Sequence, residues 1–130
     1  MWSAPRCTWA VLSNQADSTS GDCPLIVNAG SFHQAVEATI VRGGTTFDAG
    51  LIVNSNASAS QFLTAEWTGF SNGSVELWRY NGGWTLLGSV TNLYPGGIGT
   101  APASIVFRTE LTTGHVFRAS INGELGAEHD

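Results

Sequence analysis

Side chains along this chain alternate. In "HQAVEATIV", Val36, Ala38 and Ile40 share one side of an extended segment while Glu37 and Thr39 take the other. No segment spaces its apolar residues at helical intervals over even three turns, and glycine and asparagine punctuate the alternating runs. A period of two places successive side chains on opposite faces of a strand. The chain is therefore predicted to be all-β.

The strands are predicted over Trp9–Ser13, Leu25–Val27, the "HQAVEATIV" run, Asp48–Asn54, Phe62–Thr68, Val75–Tyr80, Trp84–Val90, Ser104–Glu110 and His115–Asn122. Turns at Gly43-Gly44, Asn72-Gly73, Asn81-Gly82-Gly83, Thr113-Gly114 and Asn122-Gly123 separate them, because asparagine and glycine tolerate the positive φ that tight turns require. Two loops, Asn54–Gln61 and Asn92–Pro102, are expected to face outward. Short strands without intervening helices imply an antiparallel β-sandwich or barrel. At 130 residues the chain is read as one domain, long enough to bury roughly two-thirds of its unfolded surface.

Charge narrows the partners. The net charge is −5, and all five basic residues are arginines spread along the chain: Arg6, Arg42, Arg79, Arg108 and Arg118. Nucleic-acid binding needs a basic patch, and the sequence has none. No apolar run approaches the roughly 20 residues of a membrane helix, so membrane insertion is not expected. The opening "MWSAPRCTWAVL" lacks the charged start and long apolar stretch of a secretory signal. Cys7 and Cys23 either close a disulfide worth about 3 kcal/mol in an oxidising compartment or stand as two unlinked, partly buried thiols.

The stretch "VELWRYNGGWTLLGSV" carries the richest chemistry. Glu76, Trp78 and Tyr80 fall on one face and Val75, Leu77 and Arg79 on the other, with Trp84 and Leu86 alternating on the return strand. Cross-strand aromatic pairs stabilise hairpins by roughly 0.2–1 kcal/mol each, so packing is the preferred role for Trp78 and Trp84. The rival role is a sugar-stacking platform of Trp78, Tyr80 and Trp84, with Asn72, Asn81 and Glu76 as polar neighbours. Catalysis has no support along any single strand. Glycoside hydrolysis needs two acids facing one cleft, yet Glu37 and Glu66 are each followed on their own face by threonine, and Glu76 and Glu110 have no acidic partner on their strands. These acids are expected to be solvated and not to converge. His33, His115 and His129 lack metal or triad spacing. The terminal "EHD" reads as a frayed end or the start of a missing strand. The glycosylation patterns at Asn56 and Asn72 are attributed to chance.

Four blocks in order, "WAVLSNQA", "QAVEATIVRGGTTFDAGLIVN", "VELWRYNGGWTLLGSV" and "FRASINGELGAEHD", resemble a concanavalin A-like, laminin G-type jelly roll of bacterial and phage proteins. The resemblance covers about Trp9 to Asp130. It implies a jelly-roll β-sandwich, and its glucanase members carry a Glu-x-Asp-x-Glu run that this chain lacks. Some laminin G-like domains bind calcium; Asp48 and Asn54 are the candidate ligands here, with Asp17 and Asp22, and no other cofactor is expected. Family members usually continue past the Asn-Gly turn, so the sandwich is expected to be open at its C-terminal end and completed by a neighbouring chain. The implied function is a non-catalytic virion module of a phage tail, fibre or capsid decoration, exposed on the particle, assembled with other subunits or as a homo-oligomer, and touching cell-surface polysaccharide. The alternative is an extracellular carbohydrate-binding module from a secreted bacterial glycoside hydrolase.

Overall fold

The structure, a computed structural model, describes residues 34–130 together with the backbone of residues 2–3, 9–12, 15–18 and 26–27. Twelve strands are described in chain order: β1 (Trp2–Ser3), β2 (Trp9–Leu12), β3 (Gln15–Ser18), β4 (Ile26–Val27), β5 (Gln34–Val41), β6 (Asp48–Val53), β7 (Gln61–Thr68), β8 (Ser74–Asn81), β9 (Trp84–Val90), β10 (Ser104–Leu111), β11 (Phe117–Ile121) and β12 (Glu124–His129). Two antiparallel sheets of four strands face each other, ordered β12-β11-β10-β5 and β6-β7-β8-β9. Two short pairs, β1 with β4 and β2 with β3, precede them. The protein is an antiparallel β-sandwich. No helix among the described residues is long and apolar enough to cross a membrane.

Alternation builds the core. Ala65 and Trp67 of β7, Val75 and Leu77 of β8 and Val53 of β6 meet Ile105 and Phe107 of β10, Phe117 and Ala119 of β11 and Ala127 of β12. Trp67 is fully buried. Its ring lies 4.3 Å from that of Phe47, and its Nε1–H donates to the Tyr94 hydroxyl at 3.1 Å. Tyr94 belongs to the loop expected to face outward. That expectation is corrected for Leu93 and Tyr94, which pack on the core. Leu93 and Tyr94 N–H groups donate to the carbonyls of Gly73 and Asn72, pinning the loop to the β7–β8 turn.

Gly73 permits this docking. Its φ is +88°, and a Cβ there would sit 2.3 Å from the Tyr94 ring. Gly73→Ala would combine a left-handed backbone with a clash against a rigid ring. We expect a loss of about 1–3 kcal/mol, read as a lowered urea midpoint with an unchanged m-value.

Two register shifts relieve breaks in the alternation. In β9, Leu86 stands opposite Trp78 and Gly88 opposite Leu77, which leaves Leu87 as the extra residue of a bulge. Leu86 therefore faces outward while Leu87 packs on the core. In β12 the extra residue is Gly126, where a Cβ would approach Val75 at 3.2 Å. The expected frayed end is corrected: Glu124–His129 form β12, an edge strand that pairs with β11 and packs across the sandwich on β8 and β9.

Candidate functional site

The outer face of the β6-β7-β8-β9 sheet gathers the chemistry. The β8–β9 hairpin reflects through Gly82, so Tyr80 stands opposite Trp84 and Trp78 opposite Leu86. On the other side of Tyr80 stands Phe62 of β7. The four rings touch in sequence: Phe62 stacks on Tyr80 at 5.2 Å, Tyr80 tilts on Trp84 at 5.0 Å, and Trp84 meets Phe62 and Trp78 edge-on at 5.6 and 6.1 Å. Phe62 is buried and Trp78 and Tyr80 half-buried, whereas Trp84 is 43% and Leu86 48% exposed. None of the four rings joins the sandwich core. They brace one another on the opposite face and present Trp84 to solvent.

The predicted polar neighbours divide. Asn81 adjoins the rings at the hairpin tip, its N–H donating to the Gly83 carbonyl at 3.0 Å. Asn72 sits beyond the far end of β8, about 23 Å along the strand, with φ 57° and its side-chain amide donating to Asn92 at 3.4 Å. Trp78, Tyr80, Trp84 and Asn81 come together; Asn72 does not join them. Phe62, the fourth ring, was not among the sequence candidates.

The expectation that the acids do not converge is corrected. Pairs between β7 and β8 reflect through Ser71, so Glu66 and Glu76, each five residues from it, stand directly opposite. Both are partly buried. Gly50 of β6 completes the row, and a Cβ there would meet the Ala65 carbonyl at 2.5 Å and the Glu66 Cγ at 2.8 Å. Glycine leaves room for the Glu66 side chain, whose carboxyl hydrogen-bonds Asp48 in the next row. Glu76 is held at both oxygens: Ser74 Oγ donates to Oε1 at 3.1 Å and Trp78 Nε1–H donates to Oε2 at 2.9 Å. Thr68 and Ser74, both buried, share a hydrogen bond of 2.7 Å. The carboxylates are thus joined to the rings through the Trp78 indole.

Asp48 is exposed as a residue, but partial burial of its carboxyl raises it above its ordinary pKa of 3.8; the hydrogen bond from Glu66 opposes this, and the charge of Glu76 adds to it. The folded chain therefore holds that proton more tightly than the unfolded chain does. Asp48 contributes stability that is fully present below pH 3.8 and is lost as pH rises through the folded pKa. Unfolding midpoints of the parent and of Asp48→Asn, measured across this interval, are expected to diverge in the variant's favour as pH climbs. A constant difference would show that Asp48 titrates as it does in the unfolded chain.

Asp48 opens β6 and Asn54 follows its last residue, about 20 Å apart. Calcium–oxygen bonds are roughly 2.3–2.6 Å long, so the two do not share an ion. Among the described residues no three His, Cys, Asp or Glu side chains converge as a metal-holding group. Asp17 is described only in its backbone, within β3. Asp22, Cys7, Cys23 and His33 lie outside the described residues, and with them the disulfide reading. On the other sheet, two of the scattered arginines do meet: Arg108 and Arg118 approach Glu110 at 3.9 and 3.2 Å, and Arg118 reaches Glu128 at 3.8 Å. They border an open depression of about 300 Å³ with Ser120, Gly123 and Leu125. Such solvent-facing pairs contribute at most about 1 kcal/mol each.

No protein-family model matches the chain, and no curated protein matches it in sequence. Among solved structures, the chain is similar to the carbohydrate-binding module CBM66 from Bacillus subtilis, with a TM-score of 0.80 and 18% identity over 99% of this chain and 79% of that one. The likeness covers nearly the whole chain and shows a shared β-sandwich fold.

Proposed function

We propose that the chain is a non-catalytic carbohydrate-binding module of the kind carried by secreted bacterial hydrolases, working outside the cell. The observation that carries this reading is Trp84: a tryptophan 43% exposed and braced by three other rings, one of which, Trp78, donates to the Glu76 carboxylate. Aromatic faces receive the apolar faces of sugar rings, and polar side chains around them select the hydroxyl pattern. The fold likeness to a solved carbohydrate-binding module supports the same choice. The phage-particle setting, with its virion subunits and homo-oligomer, draws no support from fold or comparison. The test is isothermal titration against a polysaccharide panel with parent protein and Trp84→Ala.

A second reading, glycoside hydrolysis, has one observation in its favour: Glu66 and Glu76 stand opposite each other on adjacent strands, with Cβ atoms about 4.5–5.5 Å apart, so two carboxyls share one face as hydrolysis requires. Against it, both oxygens of Glu76 already accept hydrogen bonds from neighbouring side chains. Reducing sugar released from a bound polysaccharide by the parent, and not by Glu66→Gln, would favour hydrolysis over binding alone.

A further inference from the structure

The sheet turned away from Trp84 has a polar depression of its own. Its outward residues meet in two neighbouring rows: Glu128, Arg118, Glu110 and Ala35 in one, Leu125, Ser120, Arg108 and Glu37 in the next. Arg108 and Arg118 both bring Nε to one oxygen of Glu110, Oε2, at 3.9 and 3.2 Å. Arg118 Nη1 stands 3.8 Å from Glu128, too far for a hydrogen bond. Among the described residues, Arg108 Nη1 and Nη2, Glu110 Oε1 and Ser120 Oγ therefore take no protein partner. All three residues line the same open depression of about 300 Å³.

A bulge supplies an apolar wall. Residues two apart on a strand share a face, so without the extra residue Gly126 both Leu125 and Ala127 would enter the core. The register shift keeps Ala127 inside and turns Leu125 outward onto the depression, 62% exposed. Bulges re-aim side chains in this way beside functional sites. The adjoining β11–β12 turn is fixed by Asn122, whose N–H donates to the Val106 carbonyl at 2.8 Å and whose Oδ1 accepts from the Val106 N–H at 2.9 Å.

Charge narrows the ligand. Glu110 and Glu128 match the two arginines, and Glu37 opposite Arg108 adds a further acid, which disfavours an anion. Unpartnered donors and an acceptor beside an apolar wall suit a ligand that carries both hydroxyls and C–H faces. We propose that this depression is a second binding site, taking one uncharged sugar residue, free or at the end of a chain. Arg108 and Ser120 donate to its hydroxyls, Glu110 accepts from one, and Leu125 receives a C–H face. The site goes beyond the Trp84 reading and does not depend on it; the two surfaces point in opposite directions.

Methyl glycosides of glucose, galactose, mannose and N-acetylglucosamine, with inorganic sulfate as the anionic comparison, serve as probes while backbone amide and arginine Nε–H resonances are followed. At least one glycoside is expected to give saturable shifts at Arg108, Arg118, Ser120 and Leu125. A hydrogen bond to a charged group corresponds to about tenfold or more in affinity, so Arg108→Ala is expected to weaken that binding at least about tenfold. Its exposed ion pair contributes little to stability, so the fold is spared. Trp84→Ala should leave these shifts unchanged. An oligosaccharide ending in the same sugar binds equally well where chain ends are the target and more weakly where the free sugar is; either supports the site. No saturable shift with any glycoside, sulfate binding more tightly than every glycoside, or an affinity unchanged in Arg108→Ala would overturn the proposal. Each of these results leaves the Trp84 reading standing.

Discussion

Trp67→Ala is expected to lower the unfolding free energy by about 3–5 kcal/mol, the range for removing a large aromatic side chain from a packed interior. Trp67 has no solvent exposure, and it joins three parts of the chain. It lies in the first row of β7 after the acidic one, its ring packs at 4.3 Å on Phe47 in the β5–β6 connection, and its N–H holds Tyr94 of the long β9–β10 loop. Truncation would leave a cavity and take away the hydroxyl's donor at once. A marginally stable domain has only about 5–15 kcal/mol in hand, so the variant is expected to be partly unfolded at elevated temperature. Should alanine prevent folding outright, Trp67→Phe supplies the measurement. Phenylalanine preserves much of the volume and loses the indole N–H, so an intermediate loss is expected. A urea midpoint unchanged in either variant would contradict the assignment of Trp67 to the core.

Trp84→Ala is expected to do the opposite: spare the fold and remove the binding. The side chain is 43% exposed, and its partners are Phe62, Trp78 and Tyr80 on the outer face. Each cross-strand aromatic contact is worth roughly 0.2–1 kcal/mol, so a stability loss of about 1–2 kcal/mol is expected. Aromatic hot spots in recognition surfaces cost about 2 kcal/mol or more on truncation, which corresponds to a loss of affinity of roughly thirtyfold or greater. Trp78→Ala should lose both quantities, because its indole also anchors Glu76. The contrast between Trp67 and Trp84 separates two uses of one residue type: one ring inside the sandwich, one on its face.

Much of this arrangement is legible in the sequence, for identifiable reasons. Trp84–Val90 coincides with β9, because Asn81-Gly82-Gly83 fixes where the hairpin turns and the hairpin fixes which residues meet. The face carrying Glu76, Trp78 and Tyr80 follows from alternation alone. The acidic row is not legible along any one strand, because Glu66 and Glu76 meet across a turn. The signal was present in the equal distance of both from the Asn72-Gly73 turn region, centred on Ser71. Asp48 enters the group only through a third strand, and that registration depends on the full sheet. The strand β12 is hard to read from sequence because "ELGAEH" offers little apolar alternation: Leu125 is 62% exposed, Ala127 alone turns into the core, and the bulge at Gly126 breaks the period between them. The glycine and proline neighbours of Tyr94 point to an exposed loop, whereas the apolar Leu93-Tyr94 pair packs on the core.

The central claim, that sugars settle on the Trp84 ring surface, is tested most directly by following the tryptophan indole N–H resonances during titration with a neutral oligosaccharide of a backbone that binds. The Trp84 and Trp78 signals are predicted to shift with a common saturation curve while that of Trp67 stays in place. Movement confined to amides around Arg108, Glu110 and Arg118 on the other sheet, with both outer tryptophans unmoved, would contradict it.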